Sequence, residues 1–180
     1  MNFKDKKIWF IADFHFGHSK VIEYSNRPFK TATEMNNTLI KNFNKVVEKN
    51  DIVFILGDLS WLNRKSTTQI VKSLNGFKYL IKGNHDRKGN QYYRNMGFVE
   101  VYDFPIVFEG FILSHEPAGT CKPNIYGHLH DKAKNDSEFN YCVSVEQVEY
   151  KPISLDEISK HLNNMLNKRM NKALKDINQW

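Results

Sequence analysis

Three short, almost continuous apolar runs constrain the fold most: "KKIWFIAD" at 6–13, "DIVFIL" at 51–56 and "FKYLIK" at 77–82. A strand with one wet face alternates apolar and polar residues, so continuous runs predict strands covered on both faces, as in parallel sheets. Helical periods separate them. Met35, Leu39, Ile40, Phe43, Val46 and Val47 recur at helical spacing behind a capping box of Thr31 and Glu34. Ile70, Val71 and Leu74 mark a shorter second helix. Strand, helix, strand, helix, strand in that order implies right-handed crossovers and a parallel sheet.

After residue 98 the pattern changes to short strands with tight turns: "FVEVYDF", "PIVF", "FILSH", "NIYGH" and "YCVSVE". "PIVFEGFILS" reads as a hairpin turning at Glu109 and Gly110. The whole stretch is expected to form a second sheet, antiparallel or mixed. An amphipathic helix follows over 155–178, capped by Ser154 with Glu157. It carries Ile158, Leu162, Met165, Leu166, Leu174 and Ile177, which should close one face of the sandwich.

At 180 residues the chain suits one domain spanning 1–180. Cys121 and Cys142 are too few for a disulfide framework and match no zinc motif, so reduced thiols are expected. The opening "MNFKDKKIWFIADFH" holds an apolar run too short for a signal peptide or a membrane span. A cytoplasmic location with no membrane partner is the expectation. The net charge of +6 favours anionic partners or plain solubility. The basic run "NKRMNKALK" reads as a solvated helix face. With no second domain to track a polymer, long nucleic acid is a disfavoured partner.

The histidines carry the chemistry. Six of the seven, His15, His18, His85, His115, His128 and His130, lie just past predicted strands, and His161 falls on a helix surface. Loops beyond the carboxyl ends of strands are where α/β sheets bind ligands. Asp13, Asp58, Asn84 and Asp86 share those positions. Oxygen and nitrogen donors without thiolate suit Mn, Fe, Zn or Ni at a working site rather than a structural zinc knot. "ADFH" and "GHLH" each set two donors two residues apart, which on an extended backbone aims both to one side.

The ordered series D-x-H, G-D, G-N-H-D, H and G-H-x-H over residues 8–130 resembles the calcineurin-like metallophosphoesterase superfamily. "ADFHFGHSKVIEYSNRPF" and "YKPISLDEI" further resemble its small single-domain bacterial and phage members. The resemblance implies an α/β fold, a four-layer αββα sandwich with two mixed β-sheets. It implies one metal held by Asp13, His15, Asp58 and His130, and a second by Asp58, Asn84, His115 and His128, with Asp58 bridging. Two divalent ions, most favourably Mn2+, would share and acidify a water for in-line attack on phosphorus. His85 would then be the general acid and Asp86 would orient its imidazole. His18 and Arg27 are candidate contacts to substrate phosphate; otherwise His18 caps a helix and Arg27 pairs with a carboxylate.

The implied activity is dinuclear-metal-dependent phosphoester hydrolysis, on small phosphodiesters such as cyclic or dinucleotide substrates. Two other readings are a phosphomonoesterase using the same site and a catalytically silent binding scaffold. A metallo-β-lactamase-like hydrolase wants His-x-His-x-Asp-His, and "GHLHDKA" supplies no such run. An HD-domain phosphohydrolase is helical where this region reads as strand.

Overall fold

The computed structural model describes residues 5–119, 122–135 and 137–177. In chain order the elements are β1 (Ile8–Ile11), α1 (Lys20–Tyr24), α2 (Ala32–Val46), β2 (Ile52–Ile55), α3 (Arg64–Ser73), β3 (Phe77–Ile81) and α4 (Asn90–Arg94). There follow β4 (Glu100–Tyr102), β5 (Ile106–Phe108), β6 (Phe111–Leu113), β7 (Asn124–Tyr126), β8 (Asn140–Cys142), β9 (Ile153–Ser154) and α5 (Leu155–Ile177). One sheet runs β4-β3-β2-β1-β9 and the other β5-β6-β7-β8. Both are mixed, and with the flanking helices they form the αββα sandwich.

The apolar runs behave as expected. β1, β2 and β3 pair in parallel, with Phe10 opposite Phe54 and Phe54 opposite Tyr79. Phe10, Ile11, Ile52, Val53, Ile55 and Leu80 have no exposed surface. Each such side chain contributes about 1.5–3 kcal/mol by leaving water. Phe54 stacks on Phe10 at 5.6 Å and reaches Phe108 of the second sheet at 4.7 Å, so one core joins both sheets. Truncating a ring so placed costs about 3–5 kcal/mol.

Helix α2 buries Met35, Leu39 and Phe43 and is capped by Thr31, whose hydroxyl accepts from Glu34 N at 3.1 Å. Glu157 N donates to Ser154 Oγ at 3.2 Å while Ser154 N donates to Glu157 Oε2 at 3.0 Å, a reciprocal capping box. The β5–β6 hairpin turns at Glu109 and Gly110, both with positive φ, as a two-residue turn matched to strand twist requires.

Three expectations change. β4 does not belong to the second sheet; it adds to the first, parallel to β3. β9, a two-residue strand antiparallel to β1, fills the other edge, and its brevity hid it behind the α5 cap. Helix α5 packs through Ile158 and Leu162, but Leu166, Met170 and Leu174 are exposed, so only its first turns cover the sandwich. Cys142 is a buried free thiol, and Cys121 lies outside the described residues. Among the described residues no helix is long and apolar enough to cross a membrane.

The sheets converge beyond β1. Ala12 N donates to Val143 O at 2.8 Å and Val145 N to Ala12 O at 3.1 Å. That pairing sets the loops after β1, β2 and β3 against those after β6, β7 and β8.

Candidate metal centre

Asp13 is fully buried where the sheets meet. Its Oδ2 accepts from Ser144 Oγ at 2.6 Å and from His128 N at 2.8 Å. Its Oδ1 is buried and has no hydrogen-bond partner. Burial pushes the Asp13 carboxyl above the usual carboxylate range, even with His115 and His130 pulling it down. An anion so placed calls for a cation.

The imidazoles bring the complementary lone pairs. His115 Nδ1 lies 2.8 Å from Leu56 O, an acceptor only, so the neutral ring keeps its proton there and leaves Nε2 bare. That Nε2 faces Asn84 Oδ1 at 3.0 Å and His128 Nδ1 at 3.2 Å. With its proton on Nδ1, His115 Nε2 and Asn84 Oδ1 are both acceptors and suit a shared cation, the part of His128 Nδ1 being set by its tautomer. His130 Nδ1 donates to Glu146 Oε1 at 2.9 Å, which fixes the ring so that in its neutral form Nε2 is the ligating nitrogen. Burial alone would depress His130, but the Glu146 bond and the Asp13 and Glu146 charges outweigh it and raise the ring. Burial, then the neighbouring His130, hold His15 down at about 2, so its ring is neutral.

Two triplets lie close enough to hold a metal ion, Asp13–His15–His130 and Asp13–Asp58–His115. Asp13 is common to both. Asp58 Oδ2, however, sits 3.5 Å from His15 Nε2 and 3.6 Å from His115 Nε2, whereas Asp13 approaches His115 at 4.0 Å on the Nδ1 edge already facing Leu56 O. Asp58 Oδ2 thus stands beside an imidazole nitrogen from each triplet, while Asp13 belongs to both. The donor set, the bare Asp13 oxygen and the paired acceptors all fit divalent ions.

The route to this convergence differs from strand alternation. Asp13, His15, Asp58, His128 and His130 all have positive φ, between 50° and 72°. These residues lie beyond the ends of β1, β2 and β7, and His130 opens a 3-10 turn at His130–Lys132. Each left-handed non-glycine residue costs on the order of 1–3 kcal/mol and persists only where surrounding bonds enforce it. Gly83 permits the packing: a Cβ there would lie 2.3 Å from Asp58 Oδ1.

Two predicted residues have other surroundings than expected. Asp86 does not hold the His85 ring; its buried carboxylate accepts from Asp58 N, Leu59 N and Gly83 N, tying the loops after β2 and β3 together. Arg27 is 4% exposed and bonds Asp13 O at 2.7 Å, Phe14 O at 3.0 Å and Glu146 Oε1 at 2.8 Å. It braces the loop after β1 from beneath, the carboxylate pairing rather than a phosphate contact. His85 is partly exposed, its N donating to Asp58 Oδ1 at 3.0 Å and its ring 5.6 Å from that of His15. His18 lines a cavity together with His15, His85, His128 and His130 and makes no cap bond to α1. His161 is half-buried, its Nε2 bonded to Asn135 O at 2.7 Å and its ring against Tyr141.

Sequence reasoning missed Ser144, Glu146 and Trp61. Ser144 and Glu146 stand two apart after β8, and their burial was unreadable without the pairing of Ala12 to Ser144. Trp61 Nε1 donates to His15 Nδ1 at 3.3 Å.

Carboxylates and imidazoles gathered at strand ends between two mixed sheets make the site of a metal-dependent phosphoester hydrolase. The chain belongs to the calcineurin-like phosphoesterase family, whose profile matches residues 6–178. It is 39% identical over 168 residues to the uncharacterized protein MJ1445 of Methanocaldococcus jannaschii, covering 86% of this chain and 90% of that one. It is 38% identical over 81 residues to the Gene 66 protein of Mycobacterium phage L5, covering 43% of this chain and 39% of the phage protein. The crystal structure of AQ665 from Aquifex aeolicus, a protein of unknown function, superposes with a TM-score of 0.69 at 30% identity, over 87% of this chain and 99% of that one.

Proposed function

We propose that the chain is a phosphodiesterase acting on small diesters through two divalent ions, with Mn2+ the most effective. Asp13, His15, Asp58 and His130 hold one ion; Asp58, Asn84, His115 and His128 hold the other. When bound, the pair supplies Lewis acidity toward a phosphoryl group and acidifies water. Two carboxylates cancel half of four positive charges, and neutral Asn84 leaves the rest available to an anionic ester.

The observation that carries this reading is the bare Asp13 Oδ1 beside bare imidazole nitrogens, next to a cavity of about 870 Å3 with His85 in its wall. His85 donates a proton to the leaving oxygen. Its backbone bond to Asp58 Oδ1 keeps it beside the centre, and Trp61, 5.2 Å away, flanks its ring. Arg27 is sealed beneath the site, which removes one cation that a monoester dianion could have used. A singly charged diester needs less.

The test is parallel kinetics with Mn2+ on 2′,3′-cyclic AMP and bis-p-nitrophenyl phosphate. A positioned acid is worth roughly 10²–10⁴ in rate and matters most for a poor leaving group such as a ribose hydroxyl. His85→Ala should lose about that factor on the cyclic nucleotide and far less on the p-nitrophenyl ester. Equal losses would remove His85 as the acid. A wild type active only on monoesters would overturn the diesterase reading.

A further inference from the structure

One wall of the cavity is aromatic and meets the clusters through Trp61 Nε1, which donates to His15 Nδ1. Trp61 is 54% exposed and Tyr24 67% exposed, and both line the 870 Å3 cavity with His18 and His85. The His18 ring lies 4.5 Å from Trp61 and 6.5 Å from Tyr24, and Trp61 lies 5.2 Å from His85. The four rings form an arc leading to the metal-ligand candidates.

This arc is built, not incidental. Trp61 N donates to Phe16 O at 2.9 Å, and Ser60 Oγ lies 2.9 Å from Thr67 Oγ1. A Cβ on Gly17 would lie 2.3 Å from Leu62 Cδ2, so the loop carrying Trp61 sits directly on the loop after β1. Val21, buried in α1, anchors the helix that carries Tyr24. The folded backbone thus presents two large rings to water, which forgoes the burial that normally accompanies such side chains. Lys20 and Lys132 stand on the same cavity.

We propose that this wall is a nucleobase platform: a nucleotide with its phosphate at the metal-ligand clusters stacks its base against Trp61, and Tyr24 closes the far side. The proposal rests on the phosphoesterase reading above and names its substrate class. A flat π-system is the chemistry that indole and phenol faces recognise, and stacking tolerates any base. The lysines suit the remaining negative charge of a nucleotide and disfavour a purely apolar occupant. An aliphatic phosphoester would reach the centre and leave both rings unused.

Calorimetry on the Mn2+-loaded full chain compares AMP with ribose 5-phosphate, which differ by the base alone. Stacking on one aromatic side chain should make AMP bind at least about fivefold tighter. Trp61→Ala should abolish that preference, read as the ratio of the AMP and ribose 5-phosphate affinities within the variant because Trp61 Nε1 also donates to His15 Nδ1. Tyr24→Ala should reduce the preference, and because Tyr24 is exposed and touches no ligand candidate, it guards against misfolding of the Trp61 variant. AMP should also quench tryptophan emission, and Trp61→Phe should remove the quench although Trp9 and Trp180 remain. Equal affinity for the two ligands, or an AMP preference that survives both alanine variants, overturns the platform. Hydrolysis is not read in these measurements, so a failure of diester cleavage tells against the enzymatic reading separately.

Discussion

The two walls of the cavity are built by opposite rules. On the inner wall Asp13, Asp58, His15 and His115 are each 5% exposed or less, and each has at least one side-chain atom fixed by a hydrogen bond. On the outer wall Trp61 and Tyr24 keep more than half their surface in solvent, with Lys20 and Lys132 exposed beside them. Buried charge without partners is prohibitive, so the inner wall must be organised before anything binds. Exposed rings carry no such requirement. The inner wall can therefore set the chemistry while the outer wall selects what the ester is attached to.

The largest effect should come from breaking the inner wall at its centre. Asp58 Oδ2 lies near imidazole nitrogens of both clusters, so Asp58→Ala should take hydrolysis to background and leave at most one ion bound per chain. Turnover at saturating Mn2+ and metal content after dialysis check this together. Substantial turnover in the variant would show that Asp58 bridges nothing.

A smaller loss should follow from loosening the inner wall one step away. Glu146 accepts from both His130 Nδ1 and Arg27 Nε through one oxygen, with its side chain 4% exposed. Carboxylates behind ligating histidines are worth about 10–100-fold in metal affinity. Glu146→Gln keeps the shape and removes the charge, so one of two binding steps should weaken by roughly tenfold or more. Stepwise Mn2+ titration reads the effect. A lower melting temperature with both affinities intact would assign Glu146 a purely structural role.

The same contrast explains what was legible in the sequence. "IWFI", "IVFI" and "FKYLI" became β1, β2 and β3 because continuous apolar runs admit few other placements. The donors at their ends and after β6 and β7 were equally plain, since aspartate, asparagine and histidine have no reason to follow a strand five times over. Their mutual geometry was not legible. The two-apart spacing of Asp13 with His15 and of His128 with His130 suggested alternation along a strand, but left-handed backbone at all four residues does the aiming. Such φ values are enforced by distant partners such as Ser144 and Asp86, which no local pattern reveals. Trp61 was passed over for the opposite reason, because an isolated aromatic in a loop carries no periodicity. The placement of β4 escaped for want of length: three residues between turns fit either sheet.

The smallest effect should come from a histidine outside both walls. His161 on α5 bonds Asn135 O at 2.7 Å and meets Tyr141 edge to face at 5.0 Å. Asn135 in turn clamps β8, its Nδ2 donating to Cys142 O at 3.1 Å and its Oδ1 accepting from Cys142 N at 2.7 Å. His161 thus ties α5 to the segment that follows His130, which is support for the fold and no part of the chemistry. His161→Ala forfeits one hydrogen bond and one ring contact, together about 1–2 kcal/mol. For a chain of this size that lowers the melting temperature by about 2–8 °C. Turnover at 25 °C should stay within about twofold of wild type, because the clusters keep all their own bonds. Thermal unfolding and initial rates on the same preparation separate the two readouts. A rate loss approaching that of Asp58→Ala, with the melting temperature unchanged, would place His161 in the reaction and erase the division between working and supporting imidazoles.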